Sequence, residues 1–207
     1  MILMNDYEVW ELPVGTLEYY DDEHLYIFNG EVLPSITQIL KVRFGNKYFG
    51  VSKKVLDKAA EKGNALHEAI QNLEENNVDD IGNLELHNYK FLKKHYKWKV
   101  NRCEVPIVLF KNDKPIAAGR LDLDVTINDL FGILDIKRTS VFDKEYVTYQ
   151  TNLYRIGYRQ TYGIEAEVVG GIHLREDKRK FVELPIAENE AWKLIDEYLG
   201  GGICTQT

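Results

Sequence analysis

The strongest constraint on the fold is a run of three apolar segments separated by two Asn-Asp pairs. The segments span about residues 98–110, 116–127 and 131–138, and the pairs are Asn112-Asp113 and Asn128-Asp129. Asparagine and aspartate tolerate the left-handed backbone that tight hairpin turns need, so the pattern predicts three antiparallel strands in a meander. The last segment is apolar on both faces, which indicates a strand buried within its sheet.

Helical patterns flank this meander. Ser35 and Ser52 are expected N-caps of helices near 36–43 and 53–76, and aromatic spacing predicts another helix near 83–96. A helix from about 143 to 162 should stop at Gly163 and lead to strands at 165–174 and 181–184. A last helix is expected at about 188–199, and Asn29-Gly30 predicts an N-terminal hairpin of residues 25–28 and 31–33.

Two acidic residues are expected to face each other across the second and third strands. Asp135 and Lys137 lie two residues apart, so their side chains point to the same face of a strand. If Asn128-Asp129 forms the turn, Asp122 lies directly opposite Asp135. The sequence therefore predicts two facing carboxylates with a lysine beside them.

Facing carboxylates require something that offsets their repulsion. Two unit charges about 4 Å apart repel by about 4 kcal/mol at an effective dielectric constant of about 20. A magnesium ion between them reverses the sign, since it commonly takes one or two carboxylates together with waters and substrate phosphate. In the hydrolysis of a phosphate ester, Lys137 beside the ion can hold the water that attacks phosphorus and neutralise charge on the phosphoryl oxygens.

The alternative for this cluster is a solvated sheet face, because Arg120, Asp122, Asp124 and Thr126 alternate with apolar residues. The buried character of the next strand favours a ligand role for Asp135, since an unpaired buried carboxylate is costly. Asp124 shares the parity of Asp122 and stays open as a ligand, but we expect it to be structural or to face solvent.

Two helical spacings add candidate residues. Gly63 and His67 lie on one helical face, and because glycine inside a helix costs about 0.5–1 kcal/mol, Gly63 predicts the close approach of another backbone. Gln150 and Tyr154 form a second such pair. The alternatives are a hydrogen-bonded core histidine for His67 and ordinary amphipathic packing for the Gln150 stripe, from which we leave out Tyr158.

Taken in order, these residues resemble the PD-(D/E)XK nuclease superfamily, in particular its RecB-type and lambda-exonuclease-like branch. The matching motifs are the Gly63 to His67 helix, Asp122, the Asp135-Ile136-Lys137 strand and the Gln150 to Tyr154 helix. The segment from Gly30 to Thr37 is similar to the amino-terminal signature of phage-type members. Two features depart from the pattern: no proline precedes Asp122, and Gln71 stands where a glutamate is often found.

The resemblance implies an α/β (α+β) fold with a restriction-endonuclease-like core. In that core a central mixed β-sheet is flanked by helices in the order αβββαβ, here with an N-terminal hairpin and helices added. We expect one domain over residues 1–207 with the motif core at about 52–185. This length and 44% hydrophobic residues suffice for one buried core.

The resemblance also implies roles for individual residues. Asp122, Asp135 and Lys137 would be catalytic, and the metal ligands would be Asp122, Asp135, Glu104 and His67. Gln150 and Tyr154 would form the site wall or contact DNA. Apart from the resemblance, basic residues gather near the proposed site, and from this we expect Arg138 and Arg155 to bind substrate phosphates. Whether one ion or two take part stays open.

The implied function is magnesium-dependent hydrolysis of DNA phosphodiester bonds, with Mn²⁺ as a substitute, in an exonuclease of phage recombination or DNA repair. The alternatives are a non-catalytic DNA-binding or assembly module with the same fold, or a structure-specific endonuclease. A homo-oligomer or a phage recombination partner protein also fits the resemblance. The net charge of −7 argues against a general nucleic-acid coating protein, although the basic run at Arg175, Lys178, Arg179 and Lys180 either grips DNA or, more simply, forms a solvated turn.

Cysteine content and hydropathy exclude several classes. Cys103 and Cys204 lack any metal-ligand spacing, so neither a zinc site nor an iron-sulfur cluster is expected. There is no basic leader with an apolar run and no apolar stretch of about 20 residues, so we expect no membrane association and a cytoplasmic location.

Overall fold

A computed structural model describes residues 7–21, 23–45 and 50–201, and within them the chain is a mixed α+β fold with two sheets and five helices. An N-terminal sheet contains β1 (Tyr7–Leu12), β2 (Gly15–Tyr20), β3 (Leu25–Phe28) and β4 (Glu31–Leu33). Three helices follow: α1 (Ile36–Phe44), α2 (Lys53–Asn76) and α3 (Leu84–Tyr96). The second half contains β5 (Lys99–Lys111), β6 (Lys114–Ile127), β7 (Leu130–Lys137), α4 (Lys144–Tyr162), β8 (Val168–Arg175), β9 (Lys178–Leu184) and α5 (Glu188–Gly201).

The larger sheet has the strand order β5-β6-β7-β8-β9. Its neighbouring strands are antiparallel except for β7 and β8, which run parallel because α4 connects them as a crossover. One face packs against α1, α4 and α5 through residues such as Ile107, Ile133 and Leu153. The other face packs against α2 and α3 through Leu123, Leu134 and Ile172. The predicted meander and the predicted order of helices and strands in this region are therefore confirmed.

Both predicted Asn-Asp turns are present, and each holds two consecutive residues in the left-handed region. The φ angles are 50° and 61° at Asn112 and Asp113, and 50° and 65° at Asn128 and Asp129. Such turns twist in the same sense as the strands they join, which fixes the strand register. Across β6 and β7 the last paired positions are Leu123 and Leu134, so the next step of the register brings Asp122 opposite Asp135.

The N-terminal sheet was predicted only in part. The hairpin of β3 and β4 has the bounds that the Asn29-Gly30 signal predicts, but it belongs to a four-stranded antiparallel sheet. This sheet packs on the larger one through Leu17, Phe28 and Val108, and the amide of Ala118 donates to the carbonyl of Pro34 at 3.0 Å. The attachment brings Asp21 and His24, between β2 and β3, to a cleft that residues of α2 and β6 also line.

The interpretation of Gly63 as a site of close backbone approach was wrong. Outside the backbone of its own helix, a Cβ atom built at Gly63 would meet no atom of the described residues within 4 Å. The helical position is therefore open, and space does not require glycine there.

Two further features concern the thiol and the helices. Burial raises the pKa of Cys103 to about 12, so its thiol is neutral and inert, while Cys204 lies outside the described residues. None of the helices in the described part of the chain combines the length and the apolar character needed to cross a bilayer.

Candidate functional site

The paired ladder between β6 and β7 ends one step before the two aspartates. Beyond Leu123 and Leu134 the Asp122 carboxylate takes up a backbone hydrogen bond, because the amide of Ile136 donates to its Oδ2 at 2.5 Å. This contact anchors a buried carboxylate at the point where the two strands stop pairing. The anchored oxygen leaves Oδ1 of Asp122 directed toward α2, where it lies 3.6 Å from Nδ1 of His67.

His67 brings α2 into the site. Its Nδ1 lies 3.4 Å from Oε1 of Glu104, and its Nε2 lies 3.3 Å from the carbonyl oxygen of Ile136. His67, Glu104 and Asp122 each offer a ligand atom, and these three atoms lie within 4.8 Å of one another. Three of the four predicted metal ligands are thus brought together from three different elements.

Glu104 reaches this cluster through an unusual backbone conformation. Its φ angle is +47° within β5, between Cys103 and Val105, which both pair with β6. A left-handed non-glycine residue inside a strand costs about 1–2 kcal/mol, and such strain concentrates at functional sites. The carboxylate is also held from the other side, since Nε of Arg120 lies 2.9 Å from its Oε2.

Asp135 lies beside the three-residue cluster but is not a member of it. Its carboxylate is paired with Lys137, whose Nζ lies 2.9 Å from Oδ1 and 2.7 Å from Oδ2. The shared face predicted for these two residues is confirmed. Asp122 gathers with His67 and Glu104, whereas the ammonium group of Lys137 neutralises Asp135. That Asp122 and Asp135 share one ion stays a prediction.

The electrostatics of the site follow from its burial. Burial would lower the pKa of His67, but the charges of Asp122 and Glu104 outweigh it and raise the pKa to about 9. Burial raises the pKa of Asp135 to about 6, although Lys137 acts in the opposite direction. Burial likewise raises the pKa of Asp122, and the charges of His67 and Lys137 offset this only in part.

Lys137 stays protonated in this environment. Burial would lower its pKa, but the carboxylates of Asp135 and Asp122 raise it instead. The ammonium group also lies 5.9 Å from the ring centroid of Tyr146 on α4. A lysine held in this way acts as a positive charge and a hydrogen-bond donor and not as a base.

Gln150 and Tyr154 line the α4 side of the site. The amide of Gln150 donates to the Tyr154 hydroxyl at 3.3 Å, and its Oε1 is buried without a hydrogen-bond partner among the described residues. Burial raises the pKa of Tyr154 well above its usual value, and the nearby charges of Asp122 and Asp135 add to this. The hydroxyl is therefore neutral, and the amide oxygen is an acceptor that no other described residue uses.

The two arginines predicted to bind substrate have structural partners. Both nitrogens of the Arg138 fork pair with Glu85 on α3, at 2.9 Å and 2.8 Å. Arg155 donates to the carbonyl of Ala166 at 2.7 Å and pairs at 2.8 Å with Glu188, the first residue of α5. Acidic partners distant in the sequence thus bind both guanidinium groups, and the role of these arginines in binding substrate stays a prediction.

Asp124 is structural, as expected, and not a ligand of the cluster. Nε of Arg102 donates to its Oδ2 at 2.8 Å, and the Tyr158 hydroxyl donates to the same oxygen at 3.0 Å. Asp124 therefore belongs to a buried network beneath α4. Leaving Tyr158 out of the site is consistent with this contact.

A polar cleft of about 410 Å³ opens above the cluster. His67, Glu104 and Tyr154 line it together with residues that the sequence did not single out for the site, chiefly Arg120 and the loop between β2 and β3. From β2, the Tyr19 hydroxyl donates to Asp21 of that loop at 3.0 Å and lies 2.8 Å from Nδ1 of His24. Arg120 stands in the same Gly-Arg-Leu-Asp segment as Asp122, but its partner Glu8 lies in a strand that was not predicted.

No protein-family model matches the chain, and no curated protein matches it. Among solved structures, the chain is similar to one titled "Crystal structure of SSO0001", with 16% sequence identity and a TM-score of 0.46. The match covers 81% of this chain and 75% of that one. At this level of similarity it says nothing about what the chain does.

Proposed function

We propose that the protein is a metal-dependent deoxyribonuclease with a restriction-endonuclease-like core of the PD-(D/E)XK type. The observation that carries this proposal is the gathering of His67, Glu104 and Asp122 within 4.8 Å, next to the Asp135–Lys137 pair. The order of the motif residues along the chain and the mixed sheet flanked by helices are consistent with it. The resemblance of the motifs favours an exonuclease over an endonuclease.

The donor set suits a hard divalent cation. Carboxylate oxygens are the ligands that Mg²⁺ and Mn²⁺ prefer, and the imidazole of His67 makes Mn²⁺ a good occupant. Asp122 and Glu104 would supply the oxygens, with Asp135 close by. When bound, such an ion supplies Lewis acidity and lowers the pKa of a water molecule.

The chain's own residues then provide charge and position. Lys137, protonated and 18% exposed, can donate a hydrogen bond to the attacking water or to a phosphoryl oxygen on which negative charge develops. Asp135 fixes this ammonium group from both of its oxygens. Tyr154 lines the cleft, where it offers a polar contact to a nucleotide, and the buried Gln150 amide donates to its hydroxyl.

The buried charges and the backbone strain of the site favour catalysis over a role in DNA binding alone. A module that only holds DNA has no need for buried carboxylates with raised pKa values or for a left-handed Glu104. Such features lower stability, and they persist where function requires them.

Incubation of the purified protein with linear duplex and with covalently closed circular DNA tests the proposal, with Mg²⁺ or with a chelator. Loss of the linear form alone, and only with Mg²⁺, is the expected result. Loss of both forms would indicate an endonuclease, and survival of both would refute a nuclease. Asp129→Asn in the β6–β7 turn is a matched control, because it removes an exposed aspartate from the same hairpin and asparagine suits a left-handed turn.

A further inference from the structure

The β8–β9 hairpin carries three cations that form no ion pair with a carboxylate of the described residues. Lys178, Arg179 and Lys180 are exposed, and within the described ranges none of them has an acidic partner. The nearby Arg175 differs, since it lies 3.6 Å from Asp177 at the tip of the hairpin. In a chain with a net charge of −7, a local excess of unpaired cations is a distinctive surface.

The register of the sheet aligns this hairpin with the candidate site. Lys137 pairs with His173 across β7 and β8, and His173 pairs with Lys180 across β8 and β9. Neighbouring strands lie about 4.8 Å apart, so the Lys180 backbone is about 10 Å from that of Lys137. Lys178 lies two residues from Lys180 and therefore points to the same face.

Contacts to the segment between β7 and α4 show that His173 and Lys178 lie on the same face of the sheet. His173 Nε2 lies 2.7 Å from the carbonyl oxygen of Thr139, and Nζ of Lys178 donates to the carbonyl of Ser140 at 3.5 Å. Both carbonyls belong to the segment between β7 and α4, which leads on to Tyr146, the ring beside Lys137. His173 is only 6% exposed, and its Nε2 contacts this segment. Lys178 and Lys180, in contrast, are exposed and can reach a ligand from solvent.

The hairpin is held in place by α3. The buried Asn88 amide donates to the carbonyls of Arg175 and Glu176 at 2.8 Å and 3.3 Å, and its oxygen accepts from Arg179 at 3.2 Å. The Arg179 guanidinium lies 3.7 Å from the ring centroid of Phe91. A hairpin fixed in this way presents its lysines at a low entropic cost of binding.

We infer that Lys178 and Lys180 form a binding site for the phosphodiester backbone of the DNA strand that enters the candidate site. This inference rests on the proposed function. The distance of about 10 Å from Lys137 corresponds to about three nucleotide steps at 3.4 Å of axial rise per step. Phosphates about three nucleotides from the phosphodiester bond that is cleaved next to Lys137 therefore fall within reach of the ammonium groups of Lys178 and Lys180. Lysine suits this role because it binds phosphate as a point charge without reading the base.

The double variant Lys178→Gln/Lys180→Gln tests the inference through the salt dependence of DNA binding. The affinity for a fluorescently labelled duplex is measured by anisotropy with a chelator present, so that cleavage does not interfere. Loss of two phosphate contacts should reduce the slope of log K against log salt by about 1.8. Between about 50 and 200 mM salt the affinity of the parent should therefore fall about 10-fold more than that of the variant.

Lys99→Gln/Lys193→Gln is the matched control, because it removes two exposed lysines from β5 and α5 that do not line the cleft. It should keep the parental slope, and circular dichroism checks that both double variants are folded. Equal slopes for the hairpin variant and the parent would overturn the inference, and so would a parent that binds no DNA.

The cleavage rate measured across DNA concentrations with Mg²⁺ separates this result from the proposed function. The Lys99→Gln/Lys193→Gln control should keep the parental rate, whereas the hairpin variant should cleave more slowly than the parent below saturation, as a raised KM for DNA, because two phosphate contacts are lost. DNA cleavage with an unchanged salt slope would reject the hairpin site alone. A reduced slope without any cleavage by the parent would reject the nuclease and leave the backbone contact standing.

Discussion

The proton on His67 should compete with a metal ion for the site. The charges of Asp122 and Glu104 outweigh burial, which alone would lower the pKa of His67, and raise that pKa to about 9. An imidazole binds a metal only when it is neutral. At about pH 7 the neutral fraction of a group with this pKa is about 1%, so binding carries a proton-release cost of about 2.7 kcal/mol.

The consequence is a steep pH dependence of metal affinity. The apparent affinity for Mn²⁺ should rise about 10-fold between about pH 7 and 8, because the neutral fraction of His67 rises by that factor. Asp135, with a pKa of about 6, is largely ionised over this range and adds little to the slope. Isothermal titration calorimetry in buffers of different ionisation enthalpy should show about one proton released per ion.

Two histidine variants make this measurement decisive. His67→Gln keeps a polar side chain that does not titrate, so its affinity should be weaker and nearly independent of pH in this range. His87→Gln, which removes an exposed histidine from α3, should keep the parental slope. A parental affinity that does not change with pH, or a His67→Gln variant with the parental slope, would refute the assignment of His67 as a ligand.

The remaining predictions concern stability. Gly171→Ala should cost about 1–3 kcal/mol in urea unfolding, because the added methyl group overlaps the Phe142 ring. Gly63→Ala should instead stabilise by about 0.5–1 kcal/mol, since its helical position is open; the same sign for both variants would contradict the packing described. The hydrogen bond from Arg159 lowers the pKa of Glu188 to about 2, so its stabilisation is present above its usual pKa of 4.5 and is lost as the pH falls toward 2. Glu188→Gln should therefore be less stable than the parent near neutral pH and approach it in acid, and a difference that does not change with pH would count against this ion pair.

Local signals in the sequence predicted most of the second half of the chain. The Asn128-Asp129 turn fixed the register of β6 and β7, and the structure continues that register to Asp122 and Asp135. Helix α2 has the predicted bounds because Ser52 precedes a regular amphipathic pattern. Signals of this kind depend on neighbouring residues, and so they can be read without knowledge of the fold.

Contacts between distant residues could not be read in this way. Arg138 finds Glu85 53 positions earlier in the chain, and Arg155 finds Glu188 33 positions later, so both arginines looked free in the sequence. Strand β1 was missed because it is mostly exposed on both faces and carries little alternation. The partners of Asp122 depend on where α2 crosses the sheet, which the sequence pattern does not give.

The most direct test of the account compares DNA cleavage by the parent with cleavage by Asp135→Ala and Lys137→Ala, with Mg²⁺ and linear duplex DNA. The account predicts that each variant loses cleavage, since one removes the carboxylate beside the cluster of His67, Glu104 and Asp122 and the other removes the positive charge that this carboxylate holds. DNA binding measured in chelator should largely survive in both. If either variant degraded DNA as fast as the parent, the assignment of the site would be contradicted.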